Sequence, residues 1–227
     1  LPPPASSMWS RIVTARAGKD GPVAAGGPSI AYVPLVLGLP RPMADALGWT
    51  SRPPTWADVM DVLTDPRGWA AHGHPEWGGV TSAIADPARS TEGLATVSAL
   101  AGAGRGLGRE DYLPASAATD PALFDRLRVI QRTRAVRPDD STGLEAAVAR
   151  AEAAGPNRIA AGPSIYFMSE RAVWKHNRTD PAVPLVVVYP AEGSPAADHP
   201  YLLVDRATMP AEARAAAAGF LRFLHSA

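Results

Sequence analysis

Apolar residues follow two spacings along this chain. Near-continuous runs at Ser29–Leu39 and Pro184–Tyr189 read as strands buried on both faces, and shorter runs at Val80–Ala85, Ile159–Met168 and Tyr201–Val204 read as further strands. Pro34 interrupts the first run and assigns it to a sheet edge or to a segment crossing between two bodies. Between these runs the spacing changes to that of helices. Thr55 caps Trp56–Leu63, with Asp58 at the capping-box distance. Leu94, Val97, Ser98 and Ala101 share one face of a second helix, and Asp120-Pro121 opens a third carrying Leu123, Phe124, Leu127 and Ile130. Ser141 opens a helix with Leu144 and Val148, closed by Gly155-Pro156. A short helix carries Val173 and Trp174, and a last one runs from Pro210 through Ala217, Phe220, Leu221 and Leu224. Near the start, Ser6 or Ser7 caps a short helix with Trp9, Ile12 and Val13. Residues 132–140 read as a polar connector. Strands alternating with helices predict an α/β fold with a largely parallel sheet.

Composition narrows the function classes. Lys plus Arg and Asp plus Glu number 22 each, so zero net charge gives no reason to expect nucleic acid or an anionic membrane. With 46% hydrophobic and 19% charged residues, the chain reads as an ordinary globular protein without a membrane-spanning run. Cys is absent, which excludes disulfides, Cys-ligated zinc and a Cys nucleophile.

The most informative stretch for chemistry is Asp86–Leu100. An apolar strand runs into Pro87 and then into Ser90-Thr91-Glu92-Gly93-Leu94 at the start of a helix. Either hydroxyl supplies the N-cap. The free backbone N–H groups, the two hydroxyls and Gly93 together make a place for a carboxylate, a phosphate or another oxyanion. The same residues equally suit a helix that caps only itself. His72-x-His74-x-Glu76 is the only metal-like spacing, in a loop too rich in Gly and Pro to favour a rigid site. There is no Gly-x-Ser-x-Gly elbow, no Gly-x-Gly-x-x-Gly fingerprint after a strand and no Walker A motif.

Several blocks, in order, carry a resemblance: Pro28–Pro40, Thr55-Trp56-Ala57-Asp58, Gly73-His74-Pro75-Glu76-Trp77-Gly78, Ser90-Thr91-Glu92-Gly93-Leu94 and Val183–Gly193. With these the chain resembles the actinobacterial extracellular solute-binding proteins of type II periplasmic-binding-protein fold, which often precede a von Willebrand factor A domain. The resemblance spans Ala5-Ser6-Ser7-Met8-Trp9 to the last helix. The family's Gly-Lys-Thr-Asn-Pro run reads Ser82-Ala-Ile-Ala-Asp86-Pro87 here, so its Lys and Asn are missing.

The resemblance implies two α/β lobes joined by crossing segments near Ser29–Leu37 and Gly193–Val204. Lobe one is then 1–37 plus 196–227, expected to lack an opening βαβ unit, and lobe two is 38–195. It implies a cleft with Ser6, Ser7, Ser90 and Thr91 at facing helix N-termini and Tyr166 and Tyr189 as walls, with Trp56 and Trp69 in the core. The implied function is non-enzymatic capture of a small anionic or polar solute outside the cell by hinge closure, without cofactor or metal. Expected partners are a membrane transporter or an attached von Willebrand factor A domain. Two alternatives stand beside it. One is a ligand-free sensor or interaction module of a larger surface protein. The other is a metal-assisted hydrolase using His72, His74 and Glu76.

Overall fold

The structure, a computed structural model, describes residues 27–103, 116, 119–155, 158–203 and 209–226. By its internal contacts the chain divides into a unit of Leu1–Val33 with Ala196–Ala227 and a larger unit of Pro34–Pro195.

In chain order the described elements are β1 (Ser29–Pro40), α1 (Arg41–Ala46), α2 (Trp56–Thr64), β2 (Ser82–Ala83), α3 (Thr91–Ala103), α4 (Pro121–Thr133), β3 (Arg134–Val136), α5 (Ser141–Ala153), α6 (Arg158–Ala161), β4 (Ile165–Ser169), α7 (Glu170–Asn177), β5 (Leu185–Val188), β6 (Ala196–Pro200) and α8 (Ala211–Leu224). Short 3-10 turns at Gly68–His72 and Pro75–Trp77 lie between α2 and β2. The architecture is mixed α/β.

The sheet of the larger unit runs β3-β2-β4-β1-β5. Strand β2 is parallel to β3 and β4, whereas β1 is antiparallel to β4 on one side and β5 on the other. Hence β1 runs against four strands that share a direction. Leu37 pairs with Phe167 and with Val188, so β1 is hydrogen-bonded along both edges. Pairing with β4 starts at Leu35, one residue beyond Pro34, which is how a strand with a proline reaches the middle of a sheet.

Side chains of β1 and β4 alternate between two cores, as the two-residue period of a strand requires. Leu35, Leu37, Leu39, Ile165 and Phe167 enter one cluster with Val59, Met60, Leu63 and Leu100 of α2 and α3. Val36, Tyr166 and Met168 enter the other with Leu144, Val148 and Val173 of α5 and α7. Helices cover both faces, which explains why the strands read as unbroken apolar runs.

Several expectations are corrected. The sheet is mixed, because β1 opposes its neighbours. The run expected as a strand from Ile159 begins instead as helix α6, and Gly162-Pro163 breaks it before β4 starts at Ile165. Residues 132–140 hold the short strand β3, visible only through its pairing with β2. The strand expected at Tyr201–Val204 falls earlier, at Ala196–Pro200, where backbone pairing with β1 outweighs the polar side chains of Asp198 and His199. Helix α5 does open at Ser141 as expected, with Asp140 as its cap, whose carboxylate accepts the Gly143 N–H at 3.0 Å.

The smaller unit, described by itself, contains β6, which pairs with β1, and helix α8. The Tyr201 N–H donates to the Pro28 carbonyl at 2.8 Å, and the Tyr201 hydroxyl donates to the Ala217 carbonyl at 3.1 Å. The expectation that this part lacks an opening βαβ unit falls on residues outside those described.

Leu37 is fully buried in a strand paired on both sides. Leu37→Ala should therefore cost about 2–5 kcal/mol of stability, the range for emptying a buried leucine site. The reading is a lower urea midpoint at unchanged slope.

Candidate functional site

The C-terminal ends of β2, β3, β4 and β5 lie along one edge of the larger unit, because these strands share a direction. Three of them lead directly into helices: β2 into α3, β3 into α5 and β4 into α7. Their N-termini therefore gather at this edge, the usual place for ligands in open α/β sheets.

Ser90 is the cap of α3. Its hydroxyl accepts the Gly93 N–H at 3.3 Å, its carbonyl accepts the Leu94 N–H, and its side chain is buried. Thr91 is the first residue of the helix, half-buried, and its hydroxyl has no hydrogen-bond partner among the described residues. The missing side chain of Gly93 serves packing. A Cβ there would run into the Ala85 carbonyl, so glycine lets α3 start directly against the exit of β2.

Glu92 contributes most to this edge. One carboxylate oxygen accepts the Ser169 N–H at 3.1 Å, and the other accepts the Ser141 hydroxyl at 2.5 Å. A single side chain of α3 thus ties down the starts of α5 and α7. Its partners belong to the starts of α5 and α7, not to the Ser90-Thr91 start of α3 where the oxyanion place is expected. Sequence reasoning passed over Glu92 because its partners lie 49 and 77 positions away. The one available signal was its place inside the Ser90–Leu94 block.

Tyr189 follows β5 at the same edge, with 42% of its surface exposed. Its hydroxyl donates to Glu170 at the start of α7. Burial, that hydrogen bond and the carboxylate's charge push the phenol up to about 12. Tyr166 is not brought to this edge. It is the second residue of β4, buried among Leu144, Val148 and Val173, and burial raises its phenol far above the ordinary range. Ser6 and Ser7 lie outside the described residues. Of the expected set, the edge therefore gathers Ser90, Thr91 and Tyr189.

A second carboxylate works in the same way as Glu92. Glu192 accepts the Trp56 N–H with both oxygens at 3.2 Å, and the Trp56 indole N–H donates to the Gly193 carbonyl at 3.0 Å. This joins the Thr-Trp-Ala-Asp block to the Tyr-Pro-x-Glu-Gly block. The Thr55–Asp58 capping box forms as predicted, and its hydrogen bonds to Thr55 hold the Asp58 carboxyl below its ordinary value.

The His72, His74 and Glu76 set serves packing. The His74 ring stacks on Trp77 at 3.8 Å and its Nδ1 lies 2.9 Å from Glu76, while His72 meets the edge of Trp69. Among the described residues no three His, Cys, Asp or Glu side chains are grouped to hold a metal ion. Trp69 is fully buried, donates to the Ser164 hydroxyl at 2.9 Å and belongs to the core with Trp56. None of the described helices is long and apolar enough to cross a membrane.

Two hollows lie elsewhere. One is lined by Pro40, Tyr166, His176 and Leu185. The other, of about 110 Å³, is lined by Met168, Lys175, His176 and Thr179. Neither is lined by Ser90, Thr91 or Tyr189.

Neither a family model nor a curated protein sequence matches this chain.

Two measurements test this geometry. Gly93→Ala should destabilise by about 1–3 kcal/mol through overpacking against the β2 exit, seen as a lower urea midpoint. Ultraviolet titration should place the Tyr189 phenol near 12. Glu170→Gln should lower that midpoint without restoring the ordinary value, because burial acts independently of the hydrogen bond. A phenol raised on folding contributes its stability fully below its unfolded value of about 10 and loses it as pH climbs through the folded one.

Proposed function

We propose that this chain is a non-enzymatic, extracellular solute-binding domain of the two-lobed type II periplasmic-binding-protein kind. It takes a small polar solute at the strand C-terminal edge of the larger unit. The observation that carries the reading is where the chain enters and leaves that unit. The Leu35 N–H donates to the Pro195 carbonyl at 2.8 Å, so the incoming and outgoing segments run side by side at this same edge. Two adjacent connections are the usual form of a hinge. A strand arriving from another unit has no crossover helix to make it parallel, which accounts for the antiparallel direction of β1. The ordered sequence blocks support the same reading, with Trp56 and Glu192 joining two of them.

Binding would then be read out by closure and passed to a transporter or to an attached von Willebrand factor A domain. A second reading is favoured by one observation. Glu92 and Ser90 already satisfy donors at this edge, which suits an interaction or sensor module that has lost its solute. The metal-assisted hydrolase reading has no such support, since His74 is engaged by Glu76 and Trp77.

The test is a thermal-shift screen of small solutes, followed by X-ray scattering with any solute that acts. A binding domain should gain melting temperature and lose radius of gyration with the same solute, and Thr91→Ala with Tyr189→Ala should abolish both effects. If no solute moves the melting temperature, the interaction-module reading replaces this one.

A further inference from the structure

We infer that the two hollows on the α5 and α7 side of the sheet form one binding site for a small neutral alcohol, with its hydroxyl at Tyr166 and its hydrocarbon body against Met168. This site is lined by other residues than the solute edge and does not rest on the reading above.

Both hollows are lined by Val148 and His176, so they adjoin. The narrow one, of about 20 Å³, has room for one water-sized group. Tyr166 lines it with only 1% of its surface exposed, and its hydroxyl has no hydrogen-bond partner among the described residues. Gly162 leaves that hydroxyl its space, since a Cβ there would lie 2.7 Å from the Tyr166 oxygen. A buried phenol without a partner forfeits the hydrogen bond it had in water. An alcohol hydroxyl, both donor and acceptor, restores it. The wider hollow, of about 110 Å³, is walled by Met168, Val148 and Ala172, all buried in the second core. A dry cavity of about 150 Å³ takes up benzene, so this one suits a branched alkyl group of about four carbons. An apolar wall with a single uncommitted polar group is the usual make-up of a small-molecule site.

The charges nearby exclude an ionic ligand. Lys175 donates to Glu145 at 2.6 Å at the wider hollow, and Glu152 accepts the Ala182 N–H at 2.8 Å at the narrow one. Burial holds the His176 imidazole below its ordinary value, against the pull of Glu152 and the Val183 carbonyl, so the ring is neutral at pH 7. Arg150 acts on Tyr166 from outside, exposed and lining neither hollow. A charged ligand would lose its hydration and gain no counter-charge.

The experiment is a nuclear magnetic resonance titration of the full chain at pH 7 with isobutanol, isobutyrate and isobutylammonium at matched ionic strength. With isobutanol the Met168 and Ala172 methyl resonances and the Tyr166 ring resonances should move together and saturate with one midpoint, of about 1–10 mM for so small a ligand. Tyr166→Phe keeps the ring and removes the hydroxyl. It should raise that midpoint about three- to tenfold, the value of one neutral hydrogen bond. Ala172→Val fills the wider hollow and should abolish saturation. Should Ala172→Val fold poorly, Tyr166→Phe decides alone. Shifts that stay linear in isobutanol, Met168 shifts without Tyr166 shifts, an unchanged midpoint in Tyr166→Phe, or equal binding of either charged probe would each overturn the inference.

Discussion

Everything in the larger unit depends on the pairing of β1. A buried strand must satisfy its backbone N–H and C=O groups, and β1 does so against β4 on one side and β5 on the other. Its alternating side chains then supply both cores at once: Leu35, Leu37 and Leu39 on one face and Val36 on the other. Because β1 runs against its neighbours, it arrives at the edge where the parallel strands end. The outgoing segment at Pro195 is held beside it there. Core, sheet direction and the position of the connecting segments therefore follow from one strand.

At the same edge, carboxylates join helix starts that lie far apart in sequence. Each helix N-terminus leaves N–H groups without intrahelical partners. At α2 two of these are met, by Thr55 and Glu192, at α3 one by Ser90, at α5 one by Asp140, and the Ser169 amide just before α7 is met by Glu92. Glu92 and Glu192 differ from the others in reaching across the fold. Hydrogen bonds to a charged acceptor are stronger than neutral ones, and those made by partly buried carboxylates are screened less by solvent. They fix which helix starts lie beside which strand ends. The aromatic loop before β2 works by packing. Trp69 is anchored through Ser164, Trp77 lies edge-on to Trp69, and His74 stacks on Trp77. A histidine spacing that suggests metal is spent here on stacking and on one contact with Glu76.

What could be read from the sequence was local. The capping box at Thr55, the Asp120-Pro121 helix start and the strands β1 and β5 each depend on neighbours within a few residues, and each forms, although β1 is buried on both faces only from Leu35 onward, with Ile30 and Tyr32 exposed. Assigning Trp56 and Trp69 to the core needed only their size and hydrophobicity. Choosing between Ser90 and Thr91 as cap did not follow from spacing, because both hydroxyls stand at a permitted position. The structure decides for Ser90 through the Gly93 N–H. Tyr166 and Tyr189 looked alike as aromatics near strand ends. Strand direction separates them, leaving Tyr166 in the core and Tyr189 at the edge.

Tertiary structure alone decided the rest, for a physical reason common to each case. Strand β3 has three residues and no apolar pattern, and it exists because β2 lies beside it. The antiparallel sense of β1 depends on where its partners lie. Glu92 meets Ser141 and Ser169, and Glu192 meets Trp56, across separations that no local spacing encodes. Propensity and period act over a few residues and were legible. Hydrogen bonds that close loops of 49 to 137 residues belong to the folded arrangement alone.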